Sequence, residues 1–334
     1  MTEFLDACYD AIRKQGKAIP ETLASVDFEE TEIISDGRPI VLVGCGDSYA
    51  AAEYGKWAFL KVGLNAISMS PTEMSHIALD KRSVVIGITA SGRSLATIDA
   101  LNRAKSKGAT TVVLTDNPEG KAVESADHVW TTRSGVNSYN ISPSSPTTTA
   151  MVYLLKVAGG LSNAADERLH NDVKRLETLG KRLVDWADRK GRAILEMIDI
   201  GRPLYLISEG PNYVAAMIGH MKFNEYSQMK SILGRREEVQ HHYALSINDN
   251  DRAVLVSDSP VTPDDISYMN VLTKTLKMQA YHLYAGDELE LLTSLAQTIP
   301  NAIALQMAAY HTVLKFNSSK KQWKQPHADA FKIY

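Results

Sequence analysis

The sequence predicts an α/β protein made of two doubly wound, parallel-sheet domains in series. Its 334 residues are too many for one ordinary domain and enough for two, each with its own core. Short apolar runs rich in β-branched residues alternate with helical stretches, a pattern typical of buried parallel strands. The same order of strands and helices occurs twice, which indicates a duplicated fold.

The first half carries the clearer alternation, which begins at Pro39. Its predicted strands are the runs PIVLVG, NAISM, SVVIGIT, TTVVLT and HVWTT. The spacing predicts helices over 49–62 and 95–107, between these runs. We therefore expect an N-terminal helical segment over 1–29 and a first domain over 30–165.

The second half repeats this order after a charged stretch over 164–190, predicted as one or two helices. We expect connecting helices over 166–200 and a second domain over 201–320, followed by a C-terminal tail over 321–334. The predicted strands are PLYLIS, AVLVSD and AYHLYA, and the predicted helices are 213–228, 264–275 and 303–316. The basic, His-rich segment after the first of these helices is expected to be irregular.

Composition points to a small-molecule partner. The net charge is −3 and charged residues make up 22% of the chain, so there is no basic excess for nucleic acid or for an anionic membrane surface. Cys8 and Cys45 form no CxxC or Cys/His cluster, so we expect neither a disulfide framework nor zinc, and a reducing cytoplasm fits. The N-terminus lacks the pattern of a signal peptide, and no apolar run approaches the length of about 20 residues that a membrane span needs.

The first turn with chemical content follows the strand PIVLVG. The sequence Gly46-Asp47-Ser48 ends this strand and opens a helix. Ligands of open α/β sheets bind at the carboxyl ends of strands, and helix N-termini offer unpaired N–H groups to anions. The alternative is a tight turn without a ligand. A dinucleotide fingerprint does not fit, because the GxGxxG spacing is missing.

A second turn, 89–94, follows the strand SVVIGIT and opens another helix. Its three hydroxyls, its glycine and the charge of Arg93 make a predicted cradle for a phosphate dianion. Simple N-capping without a ligand is the alternative. A long polar loop further on offers more hydroxyls toward a ligand, although capping and solvation also explain them. These hydroxyls belong to Ser142, Ser144, Thr147 and Thr148.

These segments resemble the sugar-isomerase (SIS) domains, in particular the tandem pair in the isomerase half of glucosamine-6-phosphate synthase. GCGDSY is similar to the family's Cys-Gly-Thr-Ser-Tyr turn, TASGRS to its Ser-Gln-Ser-Gly-Glu-Thr loop, and 135–148 to its third sugar-binding stretch. The resemblance implies two tandem SIS domains, each a flavodoxin-like parallel sheet between helical layers. It implies a binding site for a sugar phosphate made of Gly46, Asp47, Ser48, Thr89, Ser91, Gly92, Ser94, Asn140 and Ser142.

Within that implied site, the phosphate lies on Ser48, Thr89, Ser91 and Ser94, and the sugar lies nearer Asp47, Asn140 and Ser142. The chain departs from the family pattern at three positions. Asp47 replaces a Thr, Ala90 a Gln and Arg93 a Glu. The roles of Asp47 and Arg93 toward the sugar therefore stay open.

The segment GHMKFNEYSQMKSILGRREEVQHHY resembles the family's catalytic stretch, in which a His follows a helical Glu by sixteen positions. Lys222, Glu225 and His241 stand at that spacing. The resemblance implies that Glu225, held by Lys222 on the same helix face, moves a proton between C1 and C2, and that His241 opens the ring. An exposed surface role is the alternative for Glu225. The family's Gly-Glu-Leu-Lys-His-Gly-Pro loop is replaced here, so His242 is a second candidate.

The C-terminal sequence resembles the family's tail that closes over the sugar, and Lys332 is the nearest match to its lysine. The resemblance also implies a homodimer with shared active sites, in which His241 reaches the site of the other subunit. Neither a metal ion nor a redox cofactor is required for this chemistry.

The expected activity is that of a phosphosugar aldose–ketose isomerase or deaminase. The chain starts at the first SIS domain without a glutaminase domain, so we do not expect the whole synthase. An amino-sugar phosphate deaminase/isomerase of the glucosamine-6-phosphate type is the first hypothesis and a fructosamine-phosphate deglycase the second. A non-catalytic sugar-phosphate sensor is the third: the replaced histidine loop favours it, and the lack of a preceding helix-turn-helix module argues against it.

Overall fold

The computed structural model describes residues 2–28, 32–34, 36–136, 141, 144–161, 167–227, 229–322 and 330–334. These residues form two parallel β-sheets, of five and four strands, with helices. The chain divides into two compact units. The first-sheet unit comprises Lys17–Thr178 and Lys324–Tyr334, and the second-sheet unit comprises Met1–Gly16 and Leu179–Trp323. The predicted α/β class with two parallel sheets is confirmed.

The first-sheet unit contains all five strands predicted from the first half of the sequence. Its sheet has the order β2-β1-β3-β4-β5, with every neighbouring pair parallel, which is the doubly wound order of flavodoxin-like folds. The elements are α1 (Glu3–Ala24), whose end lies in this unit, β1 (Ile40–Val43), α2 (Asp47–Lys61), β2 (Ala66–Met69), β3 (Val84–Ile88), α3 (Leu95–Ser106), β4 (Thr110–Thr115), β5 (His128–Thr131) and α4 (Ser145–Leu161).

Alternation along β1 sends side chains to two helical layers. Leu42 meets the layer of α2 and α4, where Gly55 lies against it and against Leu154. Val41 and Val43 point to the opposite face and join the cluster that includes Leu101 of α3. Because both faces of the sheet are covered, its central strands are apolar throughout, as the sequence indicated. The carboxyl ends of the strands are then the positions where polar turns meet solvent.

The second-sheet unit contains four parallel strands in the order β7-β6-β8-β9. This is the same winding without a fifth strand. The elements are α5 (Glu167–Met197), shared between the units, β6 (Leu204–Ser208), α6 (Asn212–Lys222), β7 (Ser231–Arg235), α7 (Arg236–His241), β8 (Arg252–Val256), α8 (Pro263–Asn270), β9 (Gln279–Leu283), α9 (Gly286–Leu289) and α10 (Ser294–Phe316).

The core of this unit lies on both faces of its sheet. Tyr205 and Leu255 pack with Leu272 on one face. On the other face, Gly219 of α6 lies against Leu206 and against Leu305 of α10. Nearly every residue of α10 is buried, which explains its long apolar sequence without requiring a membrane. No helix among the described residues is both long and apolar enough to cross a bilayer.

Three elements of the second-sheet unit differ from the prediction. The segment expected to be irregular forms β7 and α7, because SILGR pairs with β6. The helix predicted over 213–228 continues past Lys222 as a π-helical turn, Phe223–Ser227. The helix predicted over 303–316 begins nine residues earlier, at Ser294, where Thr293 caps it.

Candidate functional site

The turn after β1 is built by Gly46, which has a φ of 56°, a value that an L side chain rarely adopts. This conformation lets the chain reverse directly into α2, whose first residue is Asp47. The N–H of Ser48 donates to the carbonyl of Cys45 at 3.0 Å. The side chains of Asp47 and Ser48 are half-buried, and no hydrogen bond of the Ser48 hydroxyl is found within the described part of the chain.

The turn after β3 places two hydroxyl side chains at the carboxyl edge of the sheet. Thr89 and Ser91 are 3% and 7% exposed. Gly92 has a φ of 65°, and a Cβ added there would lie 2.7 Å from the Cα of Gly120. Any other residue at this position would force the turn away from its neighbour, so the sequence TASGRS depends on its glycine.

The end of β4 holds this second turn, a contribution that the sequence reasoning missed. The side-chain amide of Asn117 donates to the carbonyl of Ser91 at 3.0 Å, and the N–H of Asp116 donates to the carbonyl of Ala90 at 3.2 Å. The available signal was the polar pair that directly follows the run TTVVLT, because the ends of parallel strands meet at one edge.

The two turns lie side by side. The Ser94 hydroxyl lies 3.6 Å from the thiol of Cys45, and the Thr97 hydroxyl donates to Ser94 at 3.2 Å. The turns follow β1 and β3, the neighbouring strands between which the strand order reverses. This switch point is where open α/β sheets bind ligands, and the N-termini of α2 and α3 both begin there.

The start of α4 adds a third segment. The hydroxyl of Thr147, which is 3% exposed, donates to the carboxylate of Asp47 at 3.3 Å. In contrast, Thr148 donates to the carbonyl of Ser144 at 3.3 Å, and both are completely buried, so they serve the helix start. The two predicted sugar-binding residues Asn140 and Ser142 lie outside the described residues.

The last residues of the chain lie at the start of α3. The N–H of Leu95 donates to the carbonyl of Ile333 at 3.4 Å, and the guanidinium of Arg93 lies 5.7 Å from the ring centroid of Tyr334. Lys332, the predicted tail lysine, is exposed. The tail therefore reaches the turn that carries Ser91, within one unit.

The predicted pair Lys222 and Glu225 is brought together in the second-sheet unit. The ammonium of Lys222 donates to the carboxylate of Glu225 at 2.9 Å. Lys222 is completely buried, whereas the side chain of Glu225 is 34% exposed. A buried charge requires a partner, and here the partner presents part of its carboxylate to solvent. Glu225 lies in the π-helical turn after α6, a distortion that is frequent at functional sites.

The two candidate histidines lie at the end of α7. The ring of His241 lies 3.0 Å from the carboxylate of Glu237, and that of His242 lies 3.0 Å from Glu238. Their side chains are 71% and 52% exposed. Because each histidine has an acidic partner four residues earlier, these contacts favour neither as the ring opener.

A further histidine, His220, was not singled out from the sequence. It lies on α6, five residues before Glu225, and its ring lies 2.9 Å from the Ser231 hydroxyl. Burial lowers the pKa of His220, and a contact with Ser231 opposes that shift. Among the described residues, no group of three His, Cys, Asp or Glu side chains is arranged to hold a metal ion.

Comparison with known proteins relates part of the chain to a family. Residues 33–158 match the SIS domain family. Glutamine–fructose-6-phosphate aminotransferase (isomerizing) of Aquifex aeolicus is 26% identical over 276 residues, or 80% of this chain and 45% of that protein. The Pyrococcus horikoshii protein of the same name is 26% identical over 333 residues, covering 91% and 54%. The chain thus spans about half the length of the curated relatives it matches.

Solved structures share the fold over nearly the whole chain. The C-terminal domain of glucosamine-fructose-6-phosphate aminotransferase from Francisella tularensis superposes with a TM-score of 0.78 at 20% identity, covering 96% of this chain and 98% of that one. Glucosamine-6-phosphate deaminase from Thermotoga maritima gives 0.76 at 16% identity, covering 93% and 95%. Residues 33–158 therefore match the SIS domain family, and nearly the whole chain shares the fold of these structures, with two parallel β-sheets and helices.

Proposed function

We propose that this chain is an enzyme that binds the open-chain form of a sugar 6-phosphate and moves a proton between its C1 and C2. The turns at 44–48 and 89–94 support the binding step. They supply hydroxyls and two helix N-termini at one switch point, and each of these groups favours a phosphate dianion. In the proposal Ser48, Thr89, Ser91 and Ser94 hold the phosphate.

The observation that carries the catalytic part is the contact between Lys222 and Glu225. A protein that only senses sugar phosphates needs the binding turns, but it does not need a half-exposed carboxylate fixed at 2.9 Å by a completely buried ammonium. As a general base, Glu225 takes the proton from one carbon and returns it to the next. The C–H electrons enter the enediol double bond, and the carbonyl oxygen accepts a proton.

Ring opening needs a second proton carrier, and His241 is the first candidate for it, with His242 as the alternative. We further propose a homodimer in which this histidine acts on a sugar held by the other subunit, with Lys332 closing over that sugar. Both histidines are exposed, as a residue that serves a second subunit must be.

Among the reactions that share an enediol or enolamine, we place an amino-sugar phosphate deaminase/isomerase of the glucosamine-6-phosphate type first. The sequence relatives are named as isomerizing aminotransferases for fructose 6-phosphate, and this supports a reaction at a carbon bonded to nitrogen. Deglycation of a fructosamine phosphate uses the same proton transfer and is the second candidate.

The decisive experiment is proton exchange. The protein is incubated with glucosamine 6-phosphate or fructose 6-phosphate in deuterated water, and loss of the C1 or C2 proton is followed by NMR. The wild type should exchange this proton. Glu225→Gln should exchange it about 10²–10⁴-fold more slowly, the usual contribution of a general base, while calorimetry shows that ligand binding is kept.

Glu196→Gln is the matched control, because Glu196 is an exposed acid on α5 in the second-sheet unit and lies outside the proposed site. This variant should exchange at the wild-type rate. Binding without exchange or product in the wild type would establish a sensor instead of an enzyme. Equal rates for wild type and Glu225→Gln would mean that the base is another residue.

A further inference from the structure

Asp47 introduces a carboxylate into a site proposed for a phosphate dianion. It is the first residue of α2, adjacent to the proposed phosphate ligand Ser48. Two negative groups within a few ångströms repel each other, and each disfavours the charged form of the other. If the site bound only sugar phosphates without an amine group, the Asp47 carboxylate would weaken their binding.

The Asp47 carboxylate accepts a hydrogen bond from a residue in another part of the chain. Thr147, at the start of α4, donates its hydroxyl to the Asp47 carboxylate at 3.3 Å. Thr147 is 3% exposed, so its own position is set by packing. The contact holds the Asp47 carboxylate beside the start of α4, the third segment of the candidate site.

A protonated amine is the substrate group that such a carboxylate would bind. In a 2-amino-2-deoxy sugar or a fructosamine, the nitrogen sits at C2 or C1, and the phosphate sits at C6. The two charges of the substrate are therefore at opposite ends of the carbon chain, so one can meet the hydroxyl turns while the other meets Asp47. A charge-assisted hydrogen bond of this kind is shorter and stronger than a neutral one.

We propose that Asp47 is a specificity residue that selects amine-bearing sugar 6-phosphates over their neutral counterparts, with Thr147 as its positioning residue. The inference rests on the proposed function, because it assumes that a sugar phosphate binds at these turns. It adds to the proposed function that the preference for an amine-bearing substrate is due to the Asp47 carboxylate.

The test compares two ligands that differ only at C2: glucosamine 6-phosphate, with an ammonium, and glucose 6-phosphate, with a hydroxyl. Calorimetry should show that the wild type binds the amine about ten- to a hundredfold more tightly, the usual range for a hydrogen bond to a charged group. Asp47→Asn should lose that preference by weakening glucosamine 6-phosphate alone, with glucose 6-phosphate bound as well as before or better.

Two further variants keep the test decisive. Thr147→Val leaves Asp47 in place and should reduce the preference in the same direction by a smaller factor. Ser91→Ala should weaken both ligands equally, because it removes a phosphate contact. An acid that merely stabilises the start of α2 would change both affinities alike in Asp47→Asn, and this outcome would overturn the inference, as would no change at all. Failure of the wild type to bind either ligand would instead refute the proposed function.

Discussion

The two sheets of this chain contain the same crevice, but the polar side chains around it are paired differently. In each sheet the strand order reverses between two neighbouring strands, β1 and β3 in one, β6 and β8 in the other. The first turns even share their geometry, because Gly46 and Gly210 both have a φ of 56°. The duplicated fold therefore contains this kind of crevice twice, whether or not a ligand binds in each of them.

The second turns also keep their hydroxyl pattern. Thr89, Ser91 and Ser94 follow β3, and hydroxyls stand at the corresponding spacing after β8, in Ser257, Ser259 and Thr262. Within these two segments, however, the charge differs. The segment after β8 adds Asp258, where the segment after β3 has Ala90.

In the second-sheet unit the crevice groups are already bonded to other side chains of the unit. The Ser259 hydroxyl donates to the carboxylate of Asp287 at 2.6 Å, and the Asn212 amide donates to Asp258 at 2.6 Å. Gln297, completely buried, accepts from the N–H of Ser259 at 2.7 Å and donates to its carbonyl at 3.0 Å. Polar groups that are already paired with other side chains of the unit are less available to a ligand, so we expect no phosphate at this crevice. The same fold thus carries two different sets of side-chain hydrogen bonds at equivalent crevices, so the fold alone does not specify a binding site.

The largest expected effect concerns Gln297, which closes the second crevice. Gln297→Met keeps the length of the side chain but removes its bonds to Ser259 and to the carbonyl of Leu291, the latter at 2.8 Å. Each buried polar group left unpaired costs about 1–3 kcal/mol, so the local free energy of unfolding should fall by at least about 3 kcal/mol. Hydrogen exchange of peptides from β8 and α10 measures this loss. Peptides from β3 and β4 serve as the internal control, and an equal loss there would show that the effect is not local.

A smaller effect separates the two crevices by binding. Ser91→Ala removes one hydrogen bond to a charged group, worth about 1.5–3 kcal/mol, so affinity for glucose 6-phosphate should fall about ten- to a hundredfold in calorimetry. Ser259→Ala, the matched change in the other crevice, should leave that affinity unchanged, because Ser259 is engaged by Asp287. If both variants weakened binding alike, the second crevice would also be a phosphate site and the comparison would fail.

The smallest effect is pH dependence in the second crevice, where the ring of His282 lies 2.7 Å from the Ser257 hydroxyl. Burial lowers the pKa of His282, Asp265 opposes this shift, and Arg236 adds to it. The unfolded chain therefore binds the proton more readily than the folded one. The contribution of His282 to the free energy of unfolding is therefore full above the ordinary histidine pKa of about 6.5, and it decreases as the pH falls below that value.

Amide hydrogen exchange at β8 and β9 should accordingly become faster as the pH is lowered from about 7.5 to 5.5, after correction for the pH dependence of the intrinsic exchange rate. The free energy of unfolding should decrease by at most about 1.4 kcal/mol for each unit by which folding lowers the pKa of His282. His282→Gln should remove this dependence at the crevice. A dependence that persists unchanged in the variant would assign it to another group.

Much of the fold could be read from the sequence, because its signals are local. The apolar runs IVLV and VVIGI became β1 and β3, since a strand covered on both faces is apolar along its length. The strand β7 escaped detection because SILGR is short and lies between charged segments. It is a strand only because β6 offers it a partner.

The candidate site divides in the same way. The turns at Gly46 and Gly92 and the spacing of Lys222 and Glu225 follow from local sequence, because a tight turn needs its glycine and residues three apart on a helix share a face. The contact of Thr147 with Asp47, one hundred residues away, and that of Gln297 with Ser259 depend on the tertiary structure. Local sequence patterns do not predict such hydrogen bonds, because the packing of helices on the sheet determines which distant side chains come within reach of each other.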